Sequence, residues 1–412
     1  MSKYLDAVLS ILLLLILVFS PTQYSFAFKG AHLSIADPLI WFAGLILVAN
    51  AFLSQDSGDR GWIVGFLKKV LPLPENILFV ALIALSIFKA QSKGESVKEL
   101  IQAFEYVIVA FVLFSKFKYD DRLLKKIAVL FFFLISVVVL TALVQYFNKS
   151  TDIMGVKGTF GNRNIYGGFL AVVLPVVLSA VLLFKDWRIK IWGIAIFIIA
   201  GITLLSGGAA LGIIAGCSLV CIFGSRKAFY IWLTIIVVAG AFILPRLPRD
   251  NVEVLIQSIR IYDEDGNVEP RYMEWQASLQ MWQEDPLLGV GLGNYQSQIG
   301  TNYGFLQIKE GPKEHDHNNL FLVFGSSTGV LGLVGLLAML LLWFQRTLSA
   351  YFSNSSPLSE EKRILYLGAA GTIAAFCITS IWTALLVRGV FLLIVVLVAT
   401  AISCSSCRME NK

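Results

Sequence analysis

Long apolar runs separated by short polar breaks dominate this chain from its first residues to its last. Leu5–Phe19 and Ile35–Leu53 open the series and read as membrane helices. Gly61–Pro74 carries Trp62, Lys68 and Lys69 ahead of two prolines and reads as an interfacial segment. Asn76–Phe88 is short and Leu100–Ser115 contains Gln102 and Glu105, whereas Leu123–Phe147 is a clear fifth span. Beyond the polar loop Asn148–Asn164, four runs follow in quick succession: Ile165–Phe184, Ile191–Leu205, Gly207–Phe223 and Ala228–Leu244. A much longer polar stretch, Pro245–His317, precedes Asn318–Gln345, Ile364–Leu386 and Val390–Ser403. The pattern predicts an all-α polytopic membrane protein with about twelve transmembrane helices, one membrane domain over residues 1–412, and no internal repeat.

Composition agrees. The chain is 57% hydrophobic and 15% charged, against about 25% charged in soluble domains. Ser25-Phe26-Ala27 resembles a cleavage site, but a chain with many later spans is expected to keep its first one. None of the five cysteines falls in the long polar stretch, so no disulfide framework is expected, and Cys404-x-x-Cys407 lacks the second pair of a zinc site. The net charge of +6 is dispersed between spans, which suits anionic lipid surfaces and not nucleic acid. With the N-terminus in the cytoplasm, 19 of the 33 Lys and Arg face inward; outside the long loop only eight face outward. The reading is a plasma-membrane protein with both termini cytoplasmic and residues 245–317 as one large extracytoplasmic loop.

That loop holds two of the three histidines, a dozen carboxylates and six Lys or Arg, so the chemistry is expected there. Arg271 opens a segment with Tyr272, Trp275, Leu279 and Trp282 at helical spacing, a stripe suited to a membrane surface or to the bundle. Off that stripe, Arg271 can grip a diphosphate bidentately or pair with Glu274. Pro286–Asn294 has glycines in the wrong register for a dinucleotide fingerprint and reads as a tight, flexible return toward the bilayer. His315 and His317, beside Glu314 and Asp316, are too few ligands for a metal. A general base suits them better. At the start of a helix about 42 Å long, the dipole favours neutral imidazole while the carboxylates oppose it. A helix-capping His317 is the alternative.

Earlier in the chain, Gly158-Thr159-Phe160-Gly161-Asn162-Arg163-Asn164 starts the sixth span. Its helix amides, with Lys157 and Arg163, suit a phosphate; a capped turn with interfacial basic residues is the alternative. Gly208, Gly212 and Gly216 recur every four residues and predict close helix packing that shapes a cavity, and Gly325, Gly329 and Gly332 invite the same reading.

Three motifs in order carry a resemblance: the Gly158–Asn164 turn; Arg271-Tyr272-Met273-Glu274-Trp275 followed by Asp285–Tyr295; and His315–Leu322 leading into Ser327–Gly335. The chain resembles the O-antigen ligase/polymerase superfamily of membrane glycosyltransferases. The resemblance implies a GT-C-like fold and metal-independent glycosyl transfer, with no cofactor, from an undecaprenyl-diphosphate-linked glycan to a lipid or glycan acceptor hydroxyl. It assigns His317, before Asn318, as the base. Arg271, Lys157, Arg163 and Arg388 become candidates for the diphosphate, with Asn162, Asn318 and His315 as further substrate contacts. The family often has Ser-Arg-Gly where this chain reads Ser206-Gly207-Gly208. The polymerase of the same superfamily is the nearest alternative, and a small-solute carrier, such as one for inorganic carbon, a more distant one.

The charge asymmetry makes a topological prediction. In a cysteine-free background, Asn267→Cys and Asn302→Cys should both react with an impermeant thiol reagent in intact spheroplasts; labelling only after the membrane is opened overturns the orientation.

Overall fold

The computed structural model describes residues 2–20, 25–28, 31–53, 71, 73–117, 119, 121–148, 156–238, 240–241, 261, 270–299, 319–353, 359–386 and 389–406. It is an α-helical membrane protein. The helices are α1 Ser2–Phe19, α2 Ala36–Leu53, α3 Pro74–Leu85, α4 Lys93–Phe104, α5 Phe111–Lys116, α6 Asp121–Phe147, α7 Arg163–Leu183, α8 Trp187–Thr203, α9 Gly207–Gly224, α10 Arg226–Val238, α11 Pro270–Glu284, α12 Tyr295–Ile299, α13 Leu320–Phe352, α14 Glu360–Thr379 and α15 Val390–Ser406. A π-helical turn, Glu105–Ala110, joins α4 to α5. The described strands are one antiparallel hairpin, β1 Ser25–Phe28 with β2 Ala31–Ser34.

The predicted runs are largely helical in their described residues, although Ile364–Leu386 leaves the helix after Thr379, and helix length does not support twelve crossings. Among the described residues, five helices are long and apolar enough to cross a membrane: Arg122–Phe147, Arg163–Leu183, Gly207–Gly224, Leu320–Phe352 and Glu360–Thr379. Tyr4–Phe19, Ala36–Phe52 and Val390–Cys404 are apolar but shorter. With 12 residues, α3 is about 18 Å long, well short of a hydrocarbon core of about 30 Å. The fourth run is interrupted by its π turn, and its first half, α4, is amphipathic. Gly61–Pro74 lies largely outside the described residues, as does most of Pro245–His317.

The tightest packing joins α7, α9 and α14. A Cβ at Gly216 would lie 2.5 Å from Gly371 O, and one at Gly212 would lie 2.7 Å from Ala375 O. Thr372 Oγ1 also donates to Val172 O across α14 and α7 at 2.6 Å. The glycine stripe of α9 is thus filled by the α14 backbone and shapes no cavity, contrary to that part of the expectation. Small residues bring the backbones together and the space is spent on contact.

Side-chain contacts sort the helix ends into two groups. At one end Lys125 faces Glu361, Lys185 faces Glu360, Arg346 makes a bidentate pair with Glu75, and Asn50 donates to Asp6. At the other end Ser20 reaches Gly389 O, Gln145 holds residues 157 and 158, and Leu320 N–H donates to Ser380 O.

The expected continuous span 318–345 is instead broken. Gly329 (φ 66°, ψ −170°) separates a short segment, 320–328, from the rest of α13. The Pro286–Asn294 turn fills the break. Val290 N–H and Gly291 N–H donate to Ser326 O and Ser327 O (2.8 and 2.9 Å), and Val330 N–H and Leu331 N–H donate to Pro286 O and Leu287 O (2.8 and 3.4 Å). Gly289, Gly291 and Gly293 all have positive φ. The first abuts the Ser326–Thr328 backbone, the second Ala90, and the third Glu95. The expected flexible return is therefore a fixed plug. Asn294, fully buried, locks it: its Oδ1 accepts from Ser92 N–H at 2.7 Å and its Nδ2 donates to Ser92 O, Ser96 Oγ and Leu292 O.

Two glycine substitutions should move in opposite directions. Gly329→Ala forces a side chain onto a backbone conformation costing about 1–3 kcal/mol and onto Leu287, so the melting temperature in detergent should fall. Gly94→Ala, helical and with nothing within 4 Å of its Cβ, should gain about 0.5–1 kcal/mol.

Candidate functional site

The loop before α7 is shaped from below. Gln145, near the end of α6, accepts from Lys157 N–H (3.0 Å) and Gly158 N–H (2.8 Å) and donates to Gly158 O (2.8 Å). Gly158 takes φ +58°, against the Tyr166 ring. Phe160 is buried on Phe169, with ring centroids 5.1 Å apart. Asn162 caps α7 by accepting from Ile165 N–H at 2.8 Å. The capped-turn reading thus accounts for Asn162, whose carbonyl is committed to the helix. Lys157 is exposed and Arg163 half-buried, so cationic side chains flank that helix start.

The segment after α14 crosses the same end of the bundle. Ser380 O receives Leu320 N–H (2.8 Å), Trp382 covers Gly208 and Leu385 covers Gly168. Gly389, next to Arg388 in the chain, sits against Phe160 and Ser20 O. This strap runs from the start of α13, past the uncapped start of α9, to the Gly158–Asn164 turn. Ser206-Gly207-Gly208 lies beneath it, and Gly167 and Gly208 accept no larger residue without a shift, since their Cβ positions fall 2.8 Å from Ala209 and 2.5 Å from Trp382. The strap was missed in the sequence. It also brings the buried hydroxyls of Thr379 and Ser380, which have no hydrogen-bond partner among the described residues.

On α11 the buried face is Glu274, Ala277, Ser278 and Met281, not the expected aromatic stripe. Ala277 and Met281 cluster with Val290, Tyr295 and Ile299, with Val323 of α13 packed against them. Leu279 points outward, and the Tyr272 ring lies tilted by 60° beside Trp275, with centroids 4.9 Å apart. Trp282 is the exception: its ring lies on Gly325 and its indole N–H donates to Pro286 O at 3.2 Å. Trp282 apart, the stripe is therefore not what packs α11 on the bundle, because the plug offers small and aliphatic partners on the other side. The helix that begins with Pro270-Arg271 therefore packs against the segment that follows His317-Asn318.

Asn319 caps α13, accepting from Phe321 N–H (3.0 Å) and Leu322 N–H (3.1 Å). This takes the capping role away from His317. The dipole behind His317 belongs to the segment 320–328, about 13 Å long, and not to a 42 Å helix. His315, His317, Asn318, Arg388 and the side chain of Arg271 lie outside the described residues. Tyr295 offers no substitute base: burial pushes its phenol above the usual range, against the Ser278 hydrogen bond. Among the described residues no cluster of His, Cys, Asp and Glu could hold a metal ion.

Gln145 should matter to this end of the bundle in a graded way. Gln145→Ala removes three hydrogen bonds, each worth about 0.5–1.5 kcal/mol, and should expose the 157–158 peptide to protease in detergent. Gln145→Glu keeps both acceptor bonds and should be cleaved more slowly than the alanine variant; equal cleavage of both variants and wild type counts against the anchor.

Residues 192–338 match the O-antigen ligase family. The match takes in Ser206-Gly207-Gly208, Arg271, the plug, His315–Asn319 and the break in α13. No curated protein matches the chain. The chain is thus similar to the O-antigen ligase family over about a third of its length, in the part that holds these motifs.

Proposed function

We propose that the protein is an O-antigen-ligase-like glycosyltransferase of the bacterial inner membrane. It moves a glycan from undecaprenyl diphosphate to an acceptor hydroxyl, on lipid A-core or a related molecule, at the outer face. The observation that carries this reading is the family match over 192–338, which spans both Arg271 and His317. The packing of α11 on the start of α13 supports it, because it ties together the segments leading to those two residues. The Pro245–His317 stretch is the extracytoplasmic catalytic loop.

The chemistry follows from what the reaction needs. The diphosphate is already a good leaving group, so the protein must supply a base for the acceptor and cations for the departing charge. His317 takes the acceptor proton, with His315 and Asn318 beside it. Arg271 grips the diphosphate bidentately, and Lys157, Arg163 and Arg388 supply the charge that Gly207 does not. Phe160 touches Gly389, which supports a shared role for the two loops that carry these cations. The reaction uses no metal and no cofactor.

A polymerase that extends a glycan acceptor would use the same groups, and only the products separate it from a ligase. A solute carrier finds no support. The one break in the described part of α13 is filled by the chain's own plug instead of lining a path.

The test is transfer by purified, reconstituted protein given a lipid-linked glycan. His317→Ala should lose ~10²–10⁴-fold in rate with donor affinity retained, and His315→Ala should lose less. Arg271→Ala should lose about 10²–10³-fold, with Arg271→Lys intermediate. Full transfer by His317→Ala removes it as the base, and unchanged turnover in Arg271→Ala returns that residue to the surface.

A further inference from the structure

The end of the bundle opposite the candidate site carries an apolar groove that the transfer reaction does not use. It lies between α6, α14 and α15, with Leu124, Ala128 and Phe131 on one wall and Leu365, Val396 and Leu397 on the other. Glu361 and Thr400 are its polar lining residues, and the Thr400 hydroxyl is already spent on Val396 O at 2.7 Å. Glu361, which faces Lys125, is therefore the charged group of the groove, near the start of α14. From Leu124 to Phe132 the wall on α6 extends about 12 Å, close to the depth of one leaflet, half of a core of about 30 Å.

The mouth holds two ion pairs, each of them loose. Lys125 Nζ stands 3.8 Å from Glu361 Oε1, and Lys185 Nζ stands 3.6 Å from Glu360 Oε1. A direct charged hydrogen bond closes to about 2.7–2.9 Å. The lysines are 67% and 93% exposed, against 21% and 37% for the glutamates. An outward Lys125 and an inner Glu361 therefore stand at the end of the groove, and the Lys185–Glu360 pair lies one residue along the chain from its lining residues Phe184 and Glu361. Exposed pairs of this kind hold each other weakly, so both partners remain available to a third group.

We infer that this groove binds one phospholipid with a protonated amine in its head group. An acyl chain lies along α6, the phosphate sits on Lys125 and Lys185, and the ammonium sits on Glu361. A head group carrying both charges matches a mouth carrying both charges. An anionic head group leaves the carboxylates facing a phosphate, and a quaternary ammonium cannot donate a hydrogen bond to Glu361. The lipid seals the seam between α6, the least buried of the five long helices at 28%, and the central pair α14 and α15.

Native mass spectrometry of the full chain, titrated separately with phosphatidylethanolamine, phosphatidylglycerol and phosphatidylcholine, tests this. Wild type should retain one phosphatidylethanolamine in preference to the other two, and Ala128→Trp, which fills the groove, should lose that adduct. Lys125→Ala, at an exposed position, should weaken retention about fivefold, the scale of one surface charge on a lipid phosphate. Glu361→Gln should erase the preference for phosphatidylethanolamine over phosphatidylglycerol. Equal retention by wild type and Ala128→Trp, or phosphatidylglycerol held tighter than phosphatidylethanolamine by wild type, overturns the assignment. If Ala128→Trp fails to fold, unchanged retention in Lys125→Ala and unchanged preference in Glu361→Gln do the same. Glycan transfer enters none of these readouts, so they stand apart from the proposed catalysis.

Discussion

In apolar surroundings a broken helix must find partners for the amides and carbonyls it releases, at a cost of several kcal/mol for each one left bare. At Gly329 those partners come from another part of the chain. Four backbone hydrogen bonds join the two sides of the break to residues 286–291; positive-φ Gly289 lets the turn approach the break, while Gly291 and Gly293 let it approach residues 90–95. The turn is in turn fastened to residues 86–96 through Ser86, Ser96 and Asn294. One junction thus fixes the start of α13, the end of α11 and the ends of α3 and α4. The helices that follow Arg271 and His317 in the chain, α11 and the start of α13, meet at this junction.

The two ends of the bundle have different characters. Where the motifs gather, main-chain groups dominate: a carboxamide holding a peptide, two asparagine caps, and a strap laid over glycines. The far end is built from side-chain charges, Lys against Glu and Arg against Glu, which suits contact with head groups and water. The helices between them are held chiefly by small-residue packing of α7, α9 and α14.

Membrane character, the places of the helices and the close approach at Gly212 and Gly216 were legible because hydropathy and four-residue spacing are local signals. The O-antigen ligase resemblance was also legible, because it rests on short motifs in a fixed order. Other features depended on long-range partners. The break at Gly329 looks like one more small residue in an apolar run until the 286–291 backbone is placed beside it. Which face α11 turns to the bundle could not be read, because its aromatic stripe suits lipid or protein alike and the plug offers partners to Ala277 and Met281 on the other side. The strap was missed since Ser380–Leu386 continues an apolar run, and nothing local marks where α14 stops. Helix length, finally, could not be read from runs that a π turn or a 3₁₀ turn interrupts.

The plug also has a consequence for the order of assembly. Its anchoring bonds to Ser86, Ser92 and Ser96 span 196 to 206 residues of chain. Closing a loop of that size is entropically costly and slow. When α13 first enters the bilayer it has only its own apolar sequence to guide it, and a straight helix satisfies its amides beyond the first turn. The bend at Gly329 becomes favourable only once the turn has returned from the polar loop to residues 86–96. Insertion and maturation are therefore separate events in this chain: hydropathy delivers α13 to the membrane, and a late docking step bends it into its final course.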